Sequence, residues 1–181
     1  PRDHIILGDI KQVVDNVEDL LRYKDVDIVV GGPPCQGFSE ANRQRLIDDP
    51  RNQLYKNFVQ IVSKVKPKFF VMENVKGMLK VKDQVLEDFA AIGYQATAHV
   101  LNARDYGVPQ NRERVFVVSI RKDIDDGEFK FPEKIPLERR LKDVLETNVD
   151  EKFYLKQDLT KSFVERLSER DVSNTIRCGG A

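Results

Sequence analysis

Three groups of side chains in this sequence could do chemistry together. Cys35 stands in "GGPPCQGFSE" (31–40), where two glycines and two prolines constrain the backbone just before it. Glu73 and Asn74 follow the apolar run "KFFVM" (68–72), and Gln110, Arg112 and Arg114 lead into "RVFVVSI" (114–120). A thiolate is a strong nucleophile. A carboxyl group near it could give a proton to a substrate as electron density builds up there. Guanidinium forks match a carbonyl oxygen or a phosphate. Together the three groups suit addition to an electron-poor ring. His4 and His99 are the only histidines and neither is near the thiol in sequence, which argues against a papain-like hydrolase with its histidine base.

Each group also has a plainer reading. A free thiol is often a small buried hydrophobe. A glutamate after a strand often caps a helix, and "NRER" alone reads as a solvated turn. What favours chemistry is their joint placement, which depends on the elements that carry them.

Those elements alternate. "HIIL" (4–7) and "DVDIVV" (25–30) read as strands, the second ending in the continuous apolar run of a buried parallel strand. "NQLYKNFVQIVSKVK" (52–66) carries Leu54, Phe58, Ile61, Val62 and Val65 at helical spacing and stops at Pro67. "KFFVM" is a strand. "DQVLEDFAAIG" (83–93) is a helix ended by Gly93. "YQATAHVL" (94–101) and "RVFVVSI" are further strands, joined by a link with few helical signals, so an antiparallel pair is expected. "LERRLKDVLE" (137–146) reads as a short helix, and 155–171 as another. The fold class is therefore α/β, with a mostly parallel sheet and one antiparallel strand. In such sheets ligands sit at the carboxyl ends of the parallel strands. Cys35, Glu73 and the two arginines all fall on that edge.

Composition bounds the rest. The 181 residues include 30 Lys+Arg and 30 Asp+Glu, so the zero net charge neither favours nor excludes nucleic acid. No apolar run is long enough to span a membrane and no secretory signal is recognisable. No membrane partner is expected, and the location is expected to be cytoplasmic or nucleoid-associated. Cys35 and Cys178 have no His or Cys at ligand spacing, so no metal site is expected. The opening Pro1 and the closing "CGGA" read as ends cut from something longer.

"GGPPCQGFS", "MENVKGM" and "QNRERVFVVSI", in this order, resemble the signature blocks of the cytosine-5 DNA methyltransferases, with short gaps from about Gly8 to Ile120. The resemblance implies a Rossmann-like sheet that binds S-adenosyl-L-methionine, and double-stranded DNA as partner. It implies that Cys35 attacks C6 of a flipped-out cytosine. Glu73 would stabilise the adduct at N3 and the exocyclic amine. Arg114 would contact the O2 of the base, with the catalytic Arg112 close by, and Asn74 would hold the proline–cysteine loop. C5 would take the methyl group, and loss of its proton would free Cys35. The cofactor side would involve Asp9 at the adenine amino group, the Ile10 backbone, Pro34, and Leu54, 19 residues after Cys35. Ser39, Arg43, Arg45 and Arg51, on a loop over 39–52, and Gln110 would touch DNA. Thr175 to Gly180 would begin a target-recognition region. Cys178 has no implied role.

The family's glycine-rich first block and its late blocks have no counterpart here. The sheet is thus expected to be incomplete at the N-terminus, with a partial catalytic core over 1–122 and a connector with the start of target recognition over 123–181. The chain by itself is expected to bind cofactor weakly, to turn over little, and to self-associate through an exposed sheet edge. A restriction–modification or phage setting fits best. The alternatives are a transfer RNA cytosine-5 methyltransferase with the same active site, and a non-catalytic remnant or split subunit.

Overall fold

The computed structural model describes residues 5, 7–16, 18, 20, 22–34, 53–124, 129–144 and 172–174. Cys35, Ser39, Arg43, Arg45, Arg51 and Cys178 lie outside them, as do the expected helix over 155–171 and the segment 175–180. Chain contacts group into two compact units, 1–100 with 114–131, and 101–113 with 132–181.

The first unit is built on a four-stranded mixed sheet of β1 (Ile28–Gly31), β2 (Phe69–Asn74), β5 (Glu113–Arg121) and β3 (Tyr94–Asn102), side by side in that order. β1 and β2 are parallel, whereas β5 runs antiparallel to β2. This is the expected α/β class. Register follows from the alternation of side chains. Phe70, Met72 and Asn74 of β2 pair with Ser119, Val117 and Val115 of β5, and all six are buried on one face. Glu73 therefore lies on the other face.

Helices α2 (Gln53–Val65) and α3 (Lys82–Ala91) contribute Phe58, Val62, Val85 and Phe89 to the cluster around Phe70 and Met72. Phe70 stacks on Phe89 at a centroid distance of 4.2 Å, and Phe58 meets both edge-on. Such pairs add about 0.5–1.5 kcal/mol each beyond burial. Tyr55 of α2 is also buried, and its hydroxyl donates to Asp88 of α3 at 2.8 Å.

The helix ends are explicit. Lys66, just past α2, takes φ 51°, a left-handed conformation unusual for a residue with a side chain. Arg121 donates to its carbonyl and the Tyr94 hydroxyl to that of Pro67 at 2.6 Å, so β3 and β5 hold the turn. Gly93 follows α3 at φ 90°. A 3₁₀ segment, Lys76–Val81, joins β2 to α3 and buries Met78.

In the second unit, β4 (Gln110–Asn111) pairs in parallel with β6 (Ser173–Asn174). Asn102 Oδ1 accepts from the amides of Arg104 and Arg112. Lys134 meets Asp105 at 2.6 Å.

Two expectations are corrected. Ile5 and Leu7 are in no strand and are 75% and 100% exposed. No described strand flanks them, so no ladder among the described residues takes up their backbone groups. Over 137–146 the described residues form only a 3₁₀ turn, Leu141–Asp143, in which Asp143 accepts from the Arg140 amide at 2.8 Å. Leu141 is buried but Val144 is 46% exposed. Leu141 is the only buried one among the described side chains of this stretch, which does not offset the nucleation cost of a short helix. Among the described residues no helix is long and apolar enough to cross a membrane, and no group of three or more His, Cys, Asp or Glu could hold a metal ion.

Candidate active site

A cavity of about 480 Å³ opens at the carboxyl end of β1. Its volume falls in the range of about 300–1,000 Å³ usual for small-molecule sites. Asp9 and Ile10 stand at the start of helix α1 (Ile10–Asp15), Pro33 and Pro34 follow β1, and Leu54, Phe58 and Ile61 face in from α2. The four residues expected on the cofactor side, Asp9, Ile10, Pro34 and Leu54, thus line one space. Their convergence has local causes. Asp9 caps α1, its carboxylate accepting from the Lys11 amide at 2.9 Å. Lys64 of α2 donates to the Val14 carbonyl near the end of α1, tying the two helices. The walls are mostly apolar, with one carboxylate, and this suits a flat heteroaromatic ring bearing an amine donor. A carboxylate has about four acceptor positions, so capping does not exhaust Asp9.

Beside this cavity, Arg114 Nε meets Glu73 Oε1 at 3.0 Å. The register pairs Glu73 with Phe116, which sets Arg114 on the same sheet face, one diagonal step away. The side chains are 37% (Glu73) and 20% (Arg114) exposed, so the pair is partly desolvated yet open to a substrate. A Cβ at Gly32 would stand 3.4 Å from Glu73 Oε2, so the chain after β1 passes within van der Waals reach of the carboxylate. Asn74 Nδ2 donates to the Pro33 carbonyl at 3.1 Å, and its Oδ1 accepts from the Val75 amide at 2.8 Å. The residue that follows Pro34 in the chain is Cys35.

Gln110 and Arg112 belong to the second unit, on and just after β4. The Arg112 amide donates to Asn102 Oδ1 at 3.1 Å, and its carbonyl accepts from Ala103 at 3.0 Å. Sequence reasoning missed the part of Phe58 and Ile61 in the cavity wall. Both are apolar positions of α2 at core spacing. Periodicity does not distinguish a core from the wall of a pocket.

An α/β sheet with a ligand-sized cavity at the end of β1, and a carboxylate–guanidinium pair beside it, defines an enzyme-like site at the strand ends of an α/β fold. Residues 2–177 match the family model described as C-5 cytosine-specific DNA methylase, and the chain belongs to that family. It is 48% identical over 123 residues to the type II methyltransferase M.BspRI of Lysinibacillus sphaericus, covering 65% of this chain and 28% of that protein. It is 41% identical over 154 residues to M.NgoPII of Neisseria gonorrhoeae, covering 80% and 44%. The orphan methyltransferase M.SPRI of Bacillus phage SPR is 32% identical, covering 90% and 47%. The chain thus spans less than half the length of these curated relatives. Among solved structures, a prophage-encoded DNA modification methyltransferase of E. coli matches at TM-score 0.60 and 27% identity, over 80% of this chain and 43% of that one. S. pombe Dnmt2 shares the fold at TM-score 0.61 and 20% identity, over 88% and 52%.

Proposed function

We propose that this chain carries the catalytic core of a DNA (cytosine-5)-methyltransferase of the restriction–modification kind. The observation that supports it most is the adjacency of three things. These are the Glu73–Arg114 pair, the Pro33–Pro34 backbone held by Asn74, and the cavity lined by Asp9, Ile10, Pro34 and Leu54.

Cys35 is the nucleophile in this reading. Its thiolate adds to C6 of an extruded cytosine, and ring electron density moves toward C5 and N3. Glu73, oriented by Arg114, gives or shares a proton at N3 so that charge does not accumulate on the ring. Arg114 also faces the O2 of the base, with Arg112 as a second guanidinium. Asn74 holds the main chain that presents Cys35. Once C5 carries the methyl group, a base such as water takes its proton, the C5–C6 double bond re-forms, the C6–S bond breaks to return the thiolate, and the proton at N3 goes back to Glu73. Asp9, the Ile10 backbone, Pro34 and Leu54 would hold the adenosyl part of S-adenosylmethionine, which supplies an electrophilic methyl group when bound. Ser39, Arg43, Arg45, Arg51 and Gln110 are assigned to double-stranded DNA.

Trapping tests the reading. The full-length protein that carries this chain is incubated with S-adenosylmethionine and DNA in which the target base is 5-fluorocytosine. Fluorine does not leave as a proton does, so a covalent adduct through Cys35 is expected. An adduct on RNA but on no DNA would move the substrate to RNA, and no adduct on either would overturn the assignment.

A further inference from the structure

The cavity has a floor that none of the expected residues accounts for. Phe58 reaches it from α2, and Gly31 reaches it from the last position of β1. These two residues touch. A Cβ built on Gly31 would lie 2.6 Å from Cε2 and 2.8 Å from Cδ2 of the Phe58 ring. Carbon atoms prefer roughly 3.5–4.0 Å. Residue 31 therefore tolerates no side chain while Phe58 keeps its place.

The ring has little freedom on its other sides. Its edge contacts to Phe70 and Phe89 are at centroid distances of 6.0 and 6.3 Å, and those two rings are themselves stacked and fully buried. A close-packed interior transmits such a push rather than absorbing it. The direction that yields is the empty space in front of the ring.

We infer that the Gly31–Phe58 contact sets the depth of the cavity and thereby the size of the purine-bearing ligand that it admits. The inference rests on the adenosyl reading of this cavity and adds the residues that determine its fit. Bulk added on the strand side drives the ring into the ligand's space. Bulk removed from the ring deepens the site. Complementary changes on the two sides cancel, because the two residues share one volume.

The test is a compensation cycle in the full-length protein that carries this chain, with S-adenosylhomocysteine as probe. Binding is followed by NMR titration, which reads dissociation constants into the millimolar range, and folding by thermal melts. Gly31→Ala is expected to weaken binding by about ten- to a hundredfold, the effect of overpacking on a fitted site. Adding Phe58→Ile to it is expected to restore binding to within about threefold of the unsubstituted protein. Phe58→Ile alone keeps the strand free of overpacking, so it remains informative if Gly31→Ala does not fold. It is expected to gain affinity for at least one adenosine analogue enlarged by an ethyl group at N6, C2 or C8. Unchanged binding in folded Gly31→Ala, a double variant as weak as Gly31→Ala, or no gain for any enlarged analogue overturns the inference. No binding to the unsubstituted protein overturns the adenosyl reading and the inference with it. That outcome is distinct from a functional site that ignores residue 31.

Discussion

The side-chain amide of Asn74 donates to the main-chain carbonyl of Pro33 at 3.1 Å, so the end of β2 holds the chain that leaves β1. The same side chain accepts from its neighbour's amide, Val75, at 2.8 Å. It bridges two strand ends with one donor and one acceptor, and it is buried.

Asn74→Asp separates these two roles. A carboxylate only accepts. It keeps the bond from Val75, loses the bond to Pro33 and sets a charge against that carbonyl. The rate of adduct formation in the trapping assay should fall by about ten- to a hundredfold, matching the cost of one buried hydrogen bond left unmade. An unchanged single-turnover rate would show that the Pro33 tie does not position the nucleophile.

Arg114→Gln removes the cation that orients Glu73. A hydrogen bond between charged groups contributes about 1.5–3 kcal/mol, so trapping should slow by roughly ten- to a hundredfold. Arg114→Lys keeps the charge but loses the planar fork and should fall between. Equal rates for the two variants would mean that charge without the fork contributes nothing, and an unreduced rate in Arg114→Lys that charge alone matters.

Tyr94 gives the fold an alkaline limit. Burial pushes its phenol up to about 12, against the lowering effect of nearby Arg121. A raised folded-state value favours the protonated phenol, so this stability is fully present below the unfolded value near pH 10 and is lost as pH rises toward 12. Tyr94→Phe should lose the bond to the Pro67 carbonyl, about 1 kcal/mol at neutral pH. It should also flatten the fall in stability between about pH 10 and 12. Urea unfolding of both proteins across that window would read the difference. Parallel slopes would assign the alkaline loss to other groups.

Tyr55→Phe removes the hydroxyl that joins α2 to α3. Asp88 keeps its bond from Gln84 at 3.0 Å, so the cost should be about 1 kcal/mol in urea unfolding. A loss several times larger would indicate that α2 itself shifts.

β1 ends one side of the described sheet, with Ile28 48% and Val30 67% exposed. An apolar edge strand invites pairing with another copy. Light scattering should show association that grows with concentration, and Ile28→Lys should reduce it. A clean monomer at high concentration would count against edge pairing.

Much of this could be read from sequence because it is local. Apolar spacing gave α2 and α3 to within a residue or two, Gly93 marked the end of α3, and the β-branched runs gave β1, β2, β3 and β5. Where local pattern misled, long-range support was lacking. Ile5 and Leu7 have no described neighbouring strand, and among the described side chains over 137–144 only Leu141 is buried.

The residue types of the site, and the order of its three blocks along the chain, were determined by the sequence alone. Only the tertiary structure decided which of them touch. Glu73 reaches Arg114 because the buried alternation of Phe70, Met72 and Asn74 against Ser119, Val117 and Val115 sets the antiparallel register. A slip of one residue would send Glu73 into the core. Phe58 stands in the cavity wall because Gly31, in a distant segment, leaves it room. Neither fact is carried by periodicity or motif. Each arises from the packing of side chains that lie far apart in the chain, where volume and register must be satisfied together.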